Sequence, residues 1–224
     1  MQKTIVVIPA RKGSSRLKNK NIKLLNGKPL IAHTIETAIS LFQKDQVWVN
    51  SDCERVRDIA MSYGLNFYHR SASLGTDHTT TVEVLVDQLM SSAELPKTLV
   101  LLQPTSPFRS LKYLAEMLSE FDKSSRLSMA TFGKLSLKFG KRTSGNYFTP
   151  VNYTPGQRSQ DLEGSYIYES GSVYIIDVEE LLLTKRIVTD DVIPFIISEE
   201  KECIDIDTVD DFRYAEFLIR KDEK

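Results

Sequence analysis

Short strand-like runs at Thr4–Ile8, Val47–Asn50 and Thr98–Leu102 alternate with stretches whose apolar residues recur at helical spacing, and this alternation restricts the chain more than any other feature. A short apolar run with no polar face is the mark of a strand covered on both sides. Pro29–Leu41 reads as a helix, with Pro29 at the first helical position and Leu30, Ile31, Ile35, Ala38 and Ile39 in one stripe. Glu54–Tyr63 reads as a second helix closed by Gly64, Asn66–His69 as a strand, Thr79–Met90 and Leu111–Phe121 as helices, and Leu127–Phe132 as a strand. This order predicts an α/β fold with a doubly wound, mostly parallel sheet. Ligands of such sheets bind beyond the carboxyl ends of the strands.

Gly133–Gly171 interrupts the pattern. It is rich in Gly, Ser, Thr, Tyr and Pro and too long for an ordinary connection, so it reads as a small inserted arm of extended segments that serves dimerisation. Beyond it a strand (Ser172–Asp177), a short helix (Val178–Leu183), a strand (Val192–Ile197) and a helix from Thr208 are expected, Thr208 and Asp211 having capping-box spacing. The whole of 1–224 is read as one domain carrying an insertion at about 133–171.

With 41% hydrophobic and 26% charged residues, the chain falls in the soluble globular class. Nothing approaches the ~18 consecutive apolar residues of a membrane span, and Met1-Gln2-Lys3 runs into a strand unlike a secretory signal. The cysteines, Cys53 and Cys203, form no C-x-x-C pair and suit a reducing compartment, so a cytoplasmic enzyme is expected. A net charge of −1 gives no case for nucleic-acid binding. The charge is nonetheless segregated. Met1–Ile35 holds eight basic residues and no acid, whereas Glu199–Asp211 holds seven acids and one base.

The basic end contains Ile8-Pro9-Ala10-Arg11-Lys12-Gly13-Ser14-Ser15-Arg16-Leu17-Lys18-Asn19-Lys20-Asn21, a strand running into a Gly/Ser loop that can aim N–H groups and cations at phosphate. It is neither a Walker loop nor a G-x-G-x-x-G turn. A second motif, Leu102–Arg109, follows a buried strand; its two prolines stiffen the turn and Gln103 offers an amide to a base or sugar. In the third, Ile204-Asp205-Ile206-Asp207-Thr208, alternation puts both carboxylates on one face with Cα atoms ~7 Å apart. Such a pair can hold Mg²⁺ beside substrate phosphates, or can be the polar face of an edge strand. In Gly156–Leu162, Arg158 has the planar fork for a bidentate carboxylate contact. His33, His69 and His78 fit structural roles, and neither a zinc spacing nor a Ser-His-Asp order is present.

Taken together, Ile8–Arg11, Lys20-Asn21-Ile22, Gly27-Lys28-Pro29-Leu30, Leu102–Arg109, Gln157–Leu162 and Ile204–Thr208 resemble the acylneuraminate cytidylyltransferase (CMP-sialic acid synthetase) family, in order and over nearly the whole chain. The resemblance implies a GT-A-like nucleotidyltransferase fold, CTP and an acidic nonulosonic sugar as substrates, Mg²⁺, and a homodimer. It implies a triphosphate and nucleotide site at Arg11, Lys20 and Asn21, with Arg70, Thr79 and Gln103 lining the nucleotide and sugar pocket. It places Lys138, Arg158 and Tyr174, with Gln103, at the sugar, and Asp205 and Asp207 at the metal. Glu169-Ser170-Gly171 stands where sialic-acid synthetases often have Asn-Gly, so legionaminate, pseudaminate or KDN are candidates beside N-acetylneuraminate.

The implied reaction is attack of the sugar's anomeric 2-hydroxyl on the α-phosphorus of CTP, with loss of pyrophosphate. Arg11, Lys20 and Asp207 are the expected catalytic residues, the base being Asp207 or a metal-bound hydroxide. The rival readings are a Kdo-type synthetase for another 2-keto acid sugar and a nucleotide-binding regulator without turnover.

Overall fold

The first strand, β1 (Thr4–Pro9), is β-branched nearly throughout, which suits a pleated buried surface. After a long loop come β2 (Leu24–Leu25) and β3 (Lys28–Pro29), joined through Asn26 and Gly27 at φ of 49° and 76°. Two positive φ angles in succession are what a tight two-residue hairpin turn requires. Then follow α1 (Leu30–Leu41), β4 (Val47–Ser51), α2 (Glu54–Ser62), β5 (Asn66–His69), α3 (Thr81–Met90), β6 (Thr98–Leu102), α4 (Leu111–Lys123) and β7 (Ser128–Lys134). A hairpin of β8 (Gly140–Arg142) and β9 (Phe148–Pro150) forms a separate small sheet. The chain returns as β10 (Ile167–Asp177), α5 (Val178–Thr184), β11 (Ile193–Ile197) and α6 (Val209–Asp222). This computed structural model describes residues 4–14, 16–162 and 166–222. Lys3 and Ser15 of the basic stretch, and 163–165 of the insertion, lie outside the described residues.

The central sheet has the order β11-β7-β10-β6-β1-β4-β5. All neighbours are parallel except β10, which runs antiparallel to both β6 and β7. The chain steps from β1 outward through β4 to β5, then crosses back to β6 on the other side of β1. The crevice between the ends of β1 and β6 is therefore the topological switch point, where ligands of open α/β sheets bind.

Alternate residues of each strand feed opposite faces. Val6, Ile8, Val49, Val100 and Leu102 meet α1, α2 and α4 in one core, while Ile5, Val7, Leu99 and Leu101 meet α3 and α5 in another. A smaller cluster of Leu17, Leu25, Leu30, Ile206, Phe212 and Ala215 fastens α6 to the start of the chain.

The structure refines several expectations. Pro29 caps α1 from outside, so the helix begins at Leu30. The helix expected over Thr79–Met90 begins at Thr81 and is capped by Thr80, which accepts the Glu83 N–H while the Glu83 carboxylate accepts the Thr80 N–H. β7 reaches Lys134 and β10 starts at Ile167, so the excursion from the sheet spans 135–166 and is shorter than 133–171. Gly171 lies inside β10, at φ 76°, in a bulge between Glu169 and Tyr174 that a local pattern of polar residues disguises as loop. Ile204–Thr208 is extended but, among the described residues, belongs to no sheet; the Ile206 N–H donates to the Thr105 carbonyl at 2.8 Å.

Because both faces are covered, Leu99→Ala and Leu102→Ala, from opposite sides of β6, should each destabilise by about 2–5 kcal/mol. Chemical denaturation measures both; a one-faced sheet would be affected by only one of them.

Candidate active site

Every strand end at the switch point contributes to one cavity of about 360 Å³. It brings together eight of the residues singled out in the sequence: Arg11, Lys20, Asn21, Arg70, Thr79, Gln103, Asp205 and Asp207.

The basic loop leaves β1 at Pro9 and is held by its own backbone. Asn21, buried, donates from Nδ2 to the Arg11 carbonyl at 3.1 Å, and the Lys12 N–H donates to Asp52 at 2.6 Å. Asp52 leaves no room opposite it. A Cβ on Gly75 would stand 2.7 Å from its Oδ2. The Arg11 guanidinium pairs with Asp77, from the segment between β5 and α3. Lys20 Nζ contacts Asp207 Oδ1 at 2.7 Å, and Arg16 contacts Asp207 Oδ2 at 2.6 Å. One carboxylate thus answers two cations. Asp207 is itself positioned by the cap of α6, where Asp211 accepts the N–H groups of Asp207 (3.0 Å) and Thr208 (2.7 Å).

On the far wall, β6 delivers Gln103-Pro104-Thr105. Buried Arg109 donates to the Gln103 carbonyl at 3.0 Å and the Ser172 carbonyl at 2.7 Å, so Gln103 is fixed from below. The Ile206–Thr105 link carries Asp205 and Asp207 to the same wall. Surrounding protein withdraws water from one side of the Asp205 carboxyl and raises its pKa. The Asp207 charge raises it further, against the Thr105 hydroxyl and Lys20. Asp205 still meets solvent at the cavity mouth.

The other three expected residues do not line this cavity. Tyr174 is buried beneath it on β10 and donates its hydroxyl to Glu169. Burial first, and Glu169 second, hold its phenol protonated well above the usual range. Lys138 and Arg158 lie on the arm: Lys138 donates to the Gln157 carbonyl, and Arg158 forks onto Asp161 at 2.7 and 2.8 Å. Arg16 and Asp77 were not singled out in the sequence. Arg16 was legible only as one of several loop cations, and Asp77 had no signal until folding placed it opposite Arg11.

Residues 5–201 match the family described as Cytidylyltransferase. The chain belongs to that family. The matched span ends before Asp205. The chain is 33% identical to the CMP-N,N'-diacetyllegionaminic acid synthase of Legionella pneumophila, over 98% of this chain and 97% of that one. It is equally similar to an N-acylneuraminate cytidylyltransferase of Streptococcus agalactiae serotype III, over 94% of its own length but only 52% of that protein's. The pseudaminic acid cytidylyltransferase of Campylobacter jejuni strain 81-176 is 28% identical, over 97% of each chain. Among solved structures, a CMP:2-keto-3-deoxy-manno-octonic acid synthetase complexed with CTP superposes with a TM-score of 0.72 over 98% of this chain and 99% of that one. At 19% identity that likeness concerns the fold.

The donor chemistry of the cytidylyltransferase cavity fits a hard divalent cation. Asp205 and Asp207 are hard oxygen donors, and the repulsion and water loss that raise the Asp205 pKa are what a cation between them would relieve. Among the described residues no group of three or more such side chains forms a cage, so any such ion would take its remaining ligands from water and phosphate.

The raised Asp205 pKa has a stability consequence. A carboxyl whose folded pKa exceeds its unfolded value makes its contribution below the unfolded pKa and loses it as pH rises through the folded one. At neutral pH the ionised Asp205 is therefore a burden on the free protein. Asp205→Asn should raise the melting temperature at pH 7, and the gain should vanish below about pH 3.9, the ordinary Asp value. Thermal melts across that range provide the measurement.

Proposed function

We propose that the chain transfers CMP from CTP to the anomeric hydroxyl of a nonulosonic acid, releasing pyrophosphate. The observation that carries this reading is the meeting of the basic loop with the Asp205–Asp207 pair in one cavity, in a chain whose full-length relative is named for CMP–nonulosonic acid synthesis. Arg11 and Lys20 take the negative charge that grows on the phosphoryl oxygens and the departing pyrophosphate, usually the largest catalytic contribution. Asn21 keeps the loop in place, while Arg70, Thr79 and Gln103 form the nucleotide wall, with Gln103 also facing the sugar. Asp205 and Asp207 would hold Mg²⁺, which neutralises phosphate charge when bound. In the free protein Lys20 and Arg16 sit on Asp207; phosphate would draw them to itself.

Pyrophosphate release with CTP, ATP, UTP or GTP and a panel of nonulosonic acids and Kdo tests the proposal. Turnover should require CTP and a nonulosonic acid. Equal turnover with ATP, or with Kdo alone, sinks it. Asp207→Asn should lower kcat by about two to three orders of magnitude at saturating Mg²⁺ in protein that still folds, with a lower melting temperature because Lys20 and Arg16 lose their counter-charge. A few-fold change would leave Asp207 with no role beyond its contacts to Lys20 and Arg16.

The arm supports a homodimer. It exposes Leu137, Tyr147 and Phe148, an apolar surface unusual on a hairpin that packs on little else. Lys138 and Arg158 stand on this arm, outside their own cavity. Their sugar-binding role follows if a dimer brings the arm of one copy to the cavity of the other. Arg158→Ala and Asp207→Asn, each inactive alone, should then restore activity when co-refolded, to about a quarter of wild type from random pairing of sites. No restoration in a mixed dimer would place Arg158 in its own subunit's site or in neither.

Among the described residues no helix is long and apolar enough to cross a membrane. Cys53 and Cys203 are unbridged, which agrees with a cytoplasmic setting.

A further inference from the structure

Arg70 is 4% exposed, yet among the described residues none of its hydrogen bonds reaches a carboxylate. Its Nε donates to Asn50 Oδ1 at 2.9 Å and its Nη2 to the Asn50 carbonyl at 3.2 Å. Asn50, wholly buried at the end of β4, donates in turn from Nδ2 to Gln88 Oε1 on α3 at 2.8 Å. The same Asn50 carbonyl accepts the Ala10 N–H at 2.9 Å, one residue before Arg11. Asn50 therefore joins three walls of the cavity: the root of the basic loop, Arg70 beyond β5, and α3, whose first turn lines it through Thr81 and Val84. Gln88 is 2% exposed and its Nε2 has no partner among the described residues.

A buried guanidinium is ordinarily matched by a carboxylate, because an unpaired buried charge is costly. Here the partners are the side-chain amide oxygen and the backbone carbonyl of a single residue, Asn50. They fix the fork in place and bring no charge of their own. Burial pulls the Arg70 pKa down, Asp52 acts on it only through space in the opposite sense, and Arg11 adds to the lowering. The arrangement suits a cation whose counter-charge is meant to arrive with the ligand.

We propose that Asn50 and Gln88 are positioning residues that hold Arg70 rigid and uncompensated for the anionic nucleotide. The inference rests on the nucleotide reading of the cavity. It makes the neutrality of position 50 a functional requirement, distinct from its hydrogen bonds.

Asn50→Asp separates the two. The carboxylate can accept from Arg70 as the amide oxygen does now. Its second oxygen faces Gln88, whose amide, turned over, would donate the Nε2 that lacks a partner. The variant should keep its melting temperature or gain, while the dissociation constant for CTP, measured by calorimetry without sugar, rises about tenfold, the loss of one charge-assisted contact. KM for the sugar should stay within about twofold. Gln88→Glu, which still accepts from Asn50 and puts the new charge one residue further away, should shift CTP binding the same way by less. A folded Asn50→Asp with unchanged CTP affinity, or one that weakens the sugar instead, overturns the proposal. If Asn50→Asp does not fold, Gln88→Glu decides alone, and unaltered CTP affinity there overturns it equally. Because CTP binding is compared between variant and wild type, failure of the nucleotide reading shows separately, as a wild type that does not bind CTP.

Discussion

The contact between Lys20 and Asp207 holds the site together. It joins residues 187 apart in sequence, with the lysine side chain only 12% exposed. Neither group could remain where it is without the other, since a nearly buried charge left alone is destabilising by several kcal/mol. Around this contact the third motif is drawn against the first by Arg16 and against the second by the Ile206–Thr105 hydrogen bond. The apolar cluster of Leu17, Ile206 and Phe212 packs beneath it. The polar pair sets the register of the two loops, and the cluster supplies most of the favourable free energy.

The cavity handles positive charge in two ways. Arg11, Arg16 and Lys20 have carboxylate partners, the first two where solvent screens the exchange of one partner for another and Lys20 in a more enclosed position. Arg70 and Arg109, deeper, are held by amide and carbonyl oxygens. Burial lowers the pKa of both. Arg109 has its fork turned toward the backbone of Gln103 and Ser172, and so fixes the β6 turn, whereas Arg70 lines the cavity. Cations with carboxylate partners and cations with neutral partners thus stand in separate parts of the same site.

Much of this was legible in the sequence. The alternation of buried runs and striped helices located nearly every element, because period and burial are local properties of β1, β4, β6, α1 and α4. The loops after β1 and β6 were legible as parts of a site because strand ends in such sheets converge. The bulge at Gly171 was not, since Tyr-Glu-Ser-Gly reads as a turn until two neighbouring strands pair with it. Asn50 and Gln88 were invisible for a related reason. An amide at the end of a strand and another within a helix carry no signal until the fold lays them 2.8 Å apart. Lys138 and Arg158 fell on the arm, away from the lining of the cavity, because the order of motifs along a chain does not say where an excursion from the sheet carries its residues.

The sheet order has a kinetic side. With β1 lying between β4 and β6, and β10 inserted between β6 and β7, the pairings that define the switch point all close long loops. Such topologies form slowly, since loop entropy is lost before non-local contacts compensate for it. The N-terminal loop emerges from a ribosome with its cations long before Asp205 and Asp207 exist to receive them. A nascent chain stopped before residue 205 would present a strongly basic, half-built crevice. During synthesis such a crevice would attract polyanions with no means of acting on them, and the arrival of the last acidic segment is what turns it from an adhesive surface into a selective one.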